Sequence, residues 1–160
     1  MENRMIAIDK ILVPTDFSDF SKPAMTYACA VAARFESELH LLHVCPDAAM
    51  LVPEAGGLGG AGLVEQAEAL EESAQSQLQE LPPDGWSNSR DVVRTTRVGA
   101  TFYEIIQYAK EHEIDLIVLG THGRSGIMHL LMGSVAENVV RKAPCPVLTV
   151  KPEGHQFVMP

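Results

Sequence analysis

The stretch that decides the fold is Leu116-Ile117-Val118-Leu119-Gly120-Thr121-His122-Gly123, four consecutive aliphatic residues running directly into a glycine-rich turn. An uninterrupted aliphatic run of this length reads as a strand buried on both faces, as in a parallel sheet. Similar runs stand at Lys10–Pro14 and Leu39–Val44, and Asp91–Val98 and Val147–Val150 read as two further strands. Helical patterns separate them. The first passes through Tyr27, Ala28, Val31, Ala32 and Phe35, with Ser18 and Ser21 as cap candidates and Pro23 near its first turn. The second runs from Leu63 to Leu81 with Ala67, Leu70, Ala74 and Leu78 on its stripe. Thr101-x-x-Glu104 and Ser134-x-x-Glu137 are spaced as capping boxes that open two more. Phe102, Ile105, Ile106 and Ala109 are expected to face inward from the third helix, and Val139, Val140 and Ala143 mark the fourth. Pro144-Cys145-Pro146 ends that helix.

The order βαβαβαβαβ predicts one α/β domain: a five-stranded, mostly parallel sheet with helices on both faces, a Rossmann-like arrangement. Its core spans 10–151, with a flexible insertion at about 47–62 and a tail at 153–160. Ligands of such sheets bind beyond the carboxyl ends of the strands, where the winding reverses.

The chain has 160 residues, and 12 Lys and Arg against 21 Asp and Glu leave a formal charge of −9. No base lies between Arg34 and Arg90, a stretch holding ten acids, so the remainder of the chain sums to +1. The acidity is expected on a solvated outer face of the second helix. No window offers the basic stripe that nucleic acid requires. The three cysteines, Cys29, Cys45 and Cys145, are odd in number and widely spaced, which fits a reducing compartment rather than a disulfide framework. With neither a long apolar segment nor an evident export signal, the expected setting is cytoplasmic and away from membranes.

Chemistry concentrates after the fourth strand. Gly120, Gly123 and Gly133 permit positive φ or close backbone approach, and Ser134 opens a helix whose free amides would face an anion. Those are the parts of a phosphate cradle, although the same residues also suit a turn followed by an N-cap. Arg124 is the only cation of the loop, and an exposed loop arginine is its plainer reading. Asp16, at the end of the first strand, suits a ribose hydroxyl or a hydrated Mg2+, and equally a turn or cap.

The spacing Gly120-x2-Gly123-x9-Gly133-Ser134 resembles the nucleotide-binding signature of the universal stress protein family, in its ATP-binding branch. The opening Ile11-Leu12-Val13-Pro14-Thr15-Asp16-Phe17-Ser18 and the ending Ala143-Pro144-Cys145-Pro146-Val147-Leu148-Thr149-Val150 are similar to that family's first and last strands. This resemblance implies that Pro14 and Thr15 line an adenine nucleotide, that Asp16 contacts ribose or metal, and that Val44 offers backbone groups to the adenine edge. It implies further that Gly120, Gly123 and Arg124 approach ribose and phosphates, while Gly133, Ser134 and Val135 wrap the phosphate tail. His122 stands beside them as a further ligand candidate, with an exposed loop histidine as the alternative. A homodimer paired through Val147–Val150 is implied too, and an apolar edge strand favours such pairing. The expected activity is ATP binding that regulates a stress response; the alternatives are a slow metal-dependent hydrolase or nucleotidyl transferase, and a nucleotide-free interaction module.

Other features lead nowhere. Gly57-Leu58-Gly59-Gly60-Ala61-Gly62 spells a dinucleotide fingerprint, yet it stands a dozen residues beyond its strand and reads as a linker. His40 and His43, three apart on a strand, face opposite sides and cannot share a metal. Neither a catalytic triad nor a P-loop is present.

Overall fold

The computed structural model describes residues 6–47, 60–83, 86, 90–123 and 132–152. Strands β1 (Lys10–Pro14), β2 (Glu38–Cys45), β3 (Val92–Val98), β4 (Leu116–Gly120) and β5 (Val147–Val150) alternate with helices α1 (Lys22–Phe35), α2 (Gly60–Gln79), α3 (Thr101–Glu111) and α4 (Ser134–Lys142). Every pairing is parallel and the order is β3-β2-β1-β4-β5. The chain therefore winds outward from β1 to β3, returns to β4 beside β1, and ends with β5 on an edge. The expected architecture holds.

Strand periodicity divides the core. Ile11, Val13, Leu39 and Leu41 pack with Ala24, Ala28 and Ala32 of α1 and Leu78 of α2. Leu12, Leu42, Ile117 and Leu119 pack with Ile105 and Ala109 of α3 and Val139 of α4. Full burial of each such Leu or Ile contributes about 1.5–3 kcal/mol, so both layers hold the sheet strongly.

The helices depart from the sequence reading in four ways. In α1, Tyr27 and Phe35 are exposed, and the face turned inward is Ala24, Met25, Ala28, Cys29 and Ala32. In α2, which begins at Gly60 rather than Leu63, Ala74 and Leu78 near its end are buried while Leu70 is exposed. In α4, Val140 is exposed and Ala136 takes the buried place. Neither capping box forms. The N-cap positions are Ala100 and Gly133, one residue earlier than expected, and neither helix has a side-chain cap. Glu104 instead faces Arg97 at 3.5 Å, and Glu137 faces Arg141 at 3.6 Å, because a nearby guanidinium competes for each carboxylate. Glu65, Glu68 and Glu72 lie exposed on α2, as the charge pattern implied.

Candidate functional site

A cleft of about 360 Å³ opens at the carboxyl ends of the strands, at the β1/β4 switch point. Three segments expected to meet there do so. Pro14 ends β1 and Thr15 and Asp16 follow it; Gly120, His122 and Gly123 end or follow β4; Gly133, Ser134 and Val135 open α4. Val44 enters from β2. Arg124 lies outside the described residues, as do 48–59 of the insertion expected at about 47–62 and the tail from 153, while Gly60–Gly62, expected as the end of that flexible insertion, are the first residues of α2. Among the described lining residues none is Lys or Arg.

The β1–α1 turn is built from side chains as well as backbone. Thr15 donates its amide to the Leu42 carbonyl at 2.9 Å. Asp16 Oδ1 accepts from the Ser18 amide at 3.0 Å and from the Ser18 hydroxyl at 2.6 Å, so the turn role foreseen for this carboxylate is real. Ser21 occupies the N-cap of α1 without capping it: its hydroxyl donates to the Ser18 carbonyl at 2.8 Å and lies 3.3 Å from Thr15 Oγ1. Phe17 sits at φ 63°, a left-handed conformation that costs a bulky residue about 1–3 kcal/mol and persists only where neighbours enforce it.

The glycines of the opposite wall act through space. A Cβ on Gly120 would stand 2.8 Å from the Phe20 carbonyl oxygen, and one on Gly123 would stand 2.8 Å from Asp16 Oδ2. One on Gly133 would be 3.3 Å from the Thr121 carbonyl, to which Gly133 donates its own amide at 2.7 Å. None of the three has positive φ; close approach alone accounts for them. Beyond Gly133, Ser134, Val135 and Ala136 supply the first turn of α4 to the cleft, and an uncapped first turn leaves amides directed at whatever occupies that space.

Several lining residues escaped the sequence reading, among them His43 and Thr121. His43 is buried, and its Nδ1 lies 2.8 Å from the Thr15 carbonyl. Thr121 Oγ1 lies 2.9 Å from His122 Nδ1. Strand parity would have found His43. As an odd-numbered residue near the carboxyl end of β2, it shares the α1 face with Leu39 and Leu41, beside the end of β1.

His40, on the other face, is held away from the cleft. Its Nδ1 shares a 2.8 Å hydrogen bond with the Tyr108 hydroxyl, and its Nε2 lies 2.7 Å from Glu38 Oε1 but out of line for a hydrogen bond. Burial lowers its pKa, against the pull of Glu38. The His112 ring stacks on Tyr108 at 4.1 Å, and the Arg97 guanidinium lies 5.0 Å from the Tyr108 centroid. Burial likewise pushes the Cys29 thiol up to about 11, which keeps it protonated and unreactive at neutral pH. Among the described residues no three His, Cys, Asp or Glu side chains gather as a metal site.

Fold and cleft together define a doubly wound parallel α/β domain with its site at the switch point. The family model for the universal stress protein family matches residues 7–151, and the chain belongs to that family. It is 36% identical over 143 residues to universal stress protein MJ0531 of Methanocaldococcus jannaschii, covering 89% of this chain and 81% of that one. It is 32% identical to MJ0577 of the same organism over 152 residues, covering 89% and 94%. A solved structure of MJ0577 superposes with TM-score 0.80 at 28% identity, over 93% of this chain and 99% of that one. A universal stress protein solved in complex with cAMP superposes with TM-score 0.60 at 26% identity, over 92% of this chain and 100% of that one. No helix among the described residues is long and apolar enough to cross a membrane.

Proposed function

We propose that the cleft binds an adenine nucleotide, ATP by preference, and that occupancy makes the protein a nucleotide-dependent regulatory factor in a stress response. The observation that carries this reading is the convergence on one switch point of Asp16, the close-packed glycines and the uncapped start of α4. A carboxylate suits ribose hydroxyls, while glycine edges and free helical amides suit phosphates. The cAMP complex of a similar chain supports the base and ribose portion. Val44 and Pro46 would border the adenine, and Arg124 would add charge to the phosphate end.

Asp16 fits a magnesium ion that arrives with the nucleotide, since Mg2+ is commonly held by one or two carboxylates together with phosphate oxygens and water. Bound there, the ion would offset phosphate charge beside that carboxylate. In the cytoplasm, where Mg-ATP is abundant, the site would be filled by mass action. The exposed edge of β5, with Leu148 37% accessible, suits antiparallel pairing with a second copy about a two-fold axis. Sedimentation should show a dimer that Leu148→Asp converts to monomer; an unchanged sedimentation coefficient would remove β5 from the interface.

Calorimetric titration with Mg-ATP, followed by chromatography of the mixture for ADP and AMP, tests the reading. Saturable binding without turnover is expected. Sustained turnover lost in Asp16→Ala would make the protein an enzyme instead, and absent binding at millimolar ATP would leave an interaction module.

A further inference from the structure

We propose that His43 is a positioning residue for the nucleotide site: through the Thr15 carbonyl and the Phe17 ring it holds the Asp16 carboxylate in place against Gly123. The assignment rests on the nucleotide reading above and names the part of the molecule on which that site's geometry depends.

A carbonyl oxygen only accepts, so the 2.8 Å contact requires His43 Nδ1 to carry a proton and donate it to Thr15. The same imidazole stacks on Phe17, with centroids 4.5 Å apart and planes inclined by 25°. Thr15 and Phe17 are the two chain neighbours of Asp16, so one buried ring grips both sides of the carboxylate-bearing residue. Phe17 adopts its left-handed backbone at φ 63°, and its amide donates to Thr15 Oγ1 at 3.1 Å. A bulky residue keeps that conformation only where surrounding contacts over-determine it, and the His43 ring is such a contact. Relaxation of Phe17 into ordinary backbone space would swing Asp16, whose Oδ2 lies 2.8 Å from where a Gly123 Cβ would be. His43 is fixed in turn by β2, which pairs with β1 through Pro14 and Leu42. A rigid strand thus aims a carboxylate that sits on a turn.

The test compares His43→Ala, His43→Asn, Asp16→Ala and the double variant His43→Ala/Asp16→Ala by Mg-ATP calorimetry. Residues that orient a binding group are typically worth about ten- to a hundred-fold in affinity, and a loss of that size is expected for His43→Ala. Asn, whose amide nitrogen can replace Nδ1, should recover most of it. In the Asp16→Ala background, His43→Ala should cost nothing further. An equal loss in both backgrounds, or no loss in either, would overturn the proposal. Should the wild-type protein bind no nucleotide, the functional reading fails, and hydrogen exchange at the Phe17 and Ser18 amides decides the positioning role by itself. Faster exchange in His43→Ala, restored in His43→Asn, supports it, and unchanged exchange overturns it. If His43→Ala fails to fold, Phe17→Gly takes its place, since it tolerates positive φ while deleting the ring: weakened binding with faster Ser18 exchange supports the clamp, and wild-type values for both overturn it.

Discussion

His40 and His43 occupy one strand three residues apart, yet they serve opposite ends and faces of the sheet. His40 is sealed among Tyr108, His112 and Glu38 under α3, where its contacts lock a helix to the sheet. His43 stands where β2 ends and braces a turn that lines a cleft. The comparison shows how a parallel α/β sheet divides its work. Toward the amino ends, polar side chains meet one another, as His40 meets Tyr108 and Glu38. At the carboxyl ends, helix starts lack side-chain caps, backbone approaches backbone, and the aromatic Phe17 is held at positive φ, whereas at the amino ends positive φ falls on Glu36, the left-handed cap that ends α1, and on Glu113 after α3. Those carboxyl-end features cost stability and are the ones that can meet a ligand.

Changes at the two ends should therefore separate. The largest effect is expected for Gly123→Val, whose side chain would collide with the Asp16 carboxylate. Calorimetry should find Mg-ATP affinity weaker than about 1 mM, near −4 kcal/mol, while near-UV circular dichroism stays native. Retained affinity would place the nucleotide elsewhere. Next comes Gly120→Ala, where the added methyl meets the Phe20 carbonyl, a backbone atom that cannot swing aside. Overpacking of this kind costs about 1–3 kcal/mol, read as a lower urea midpoint at unchanged slope. An unaltered midpoint would show that the β4 turn relaxes freely.

The smallest effect belongs to the amino end. Burial depresses the pKa of His40 in the folded state, whereas an unfolded histidine titrates near about 6.5. Below that value the unfolded chain binds a proton that the folded chain refuses. The stability from a neutral His40 is thus complete above pH 6.5 or so and declines as pH falls toward the folded pKa, by at most about 1.4 kcal/mol per pH unit. Urea titrations between pH 7 and 5 should show this slope reduced in His40→Asn. Equal slopes in wild type and His40→Asn would show that His40 is not the group that refuses the proton.

The sheet was legible because its signal is repeated: four βα alternations, each with a continuous apolar run, leave little room for another topology. The cleft was legible at the carboxyl ends of the strands, in their last residues and the turns beyond, which is why Thr15, Asp16, Val44 and Gly123 come together. Helix starts were misread. Thr101-x-x-Glu104 and Ser134-x-x-Glu137 have the right spacing, but capping depends on which residue leaves the helix, and Arg97 and Arg141 take the glutamates. Tyr108 and His43 were missed for a related reason. A polar tip conceals burial in a sequence, and only the neighbours, His40 for Tyr108 and the Thr15 carbonyl for His43, reveal what each tip bonds. The stripe of α2 was overread because Leu70 has the helical spacing of a core residue yet stays 44% exposed.

The most direct test of the central claim is an amide-resolved nuclear magnetic resonance titration of the 15N-labelled protein with Mg-ATP. If the cleft is the nucleotide site, saturable shifts should gather at Asp16, Gly120, Gly123, Ser134 and Val135, while His40, Tyr108 and His112 stay still. Shifts centred on the His40 end, or none at millimolar ATP, would contradict it.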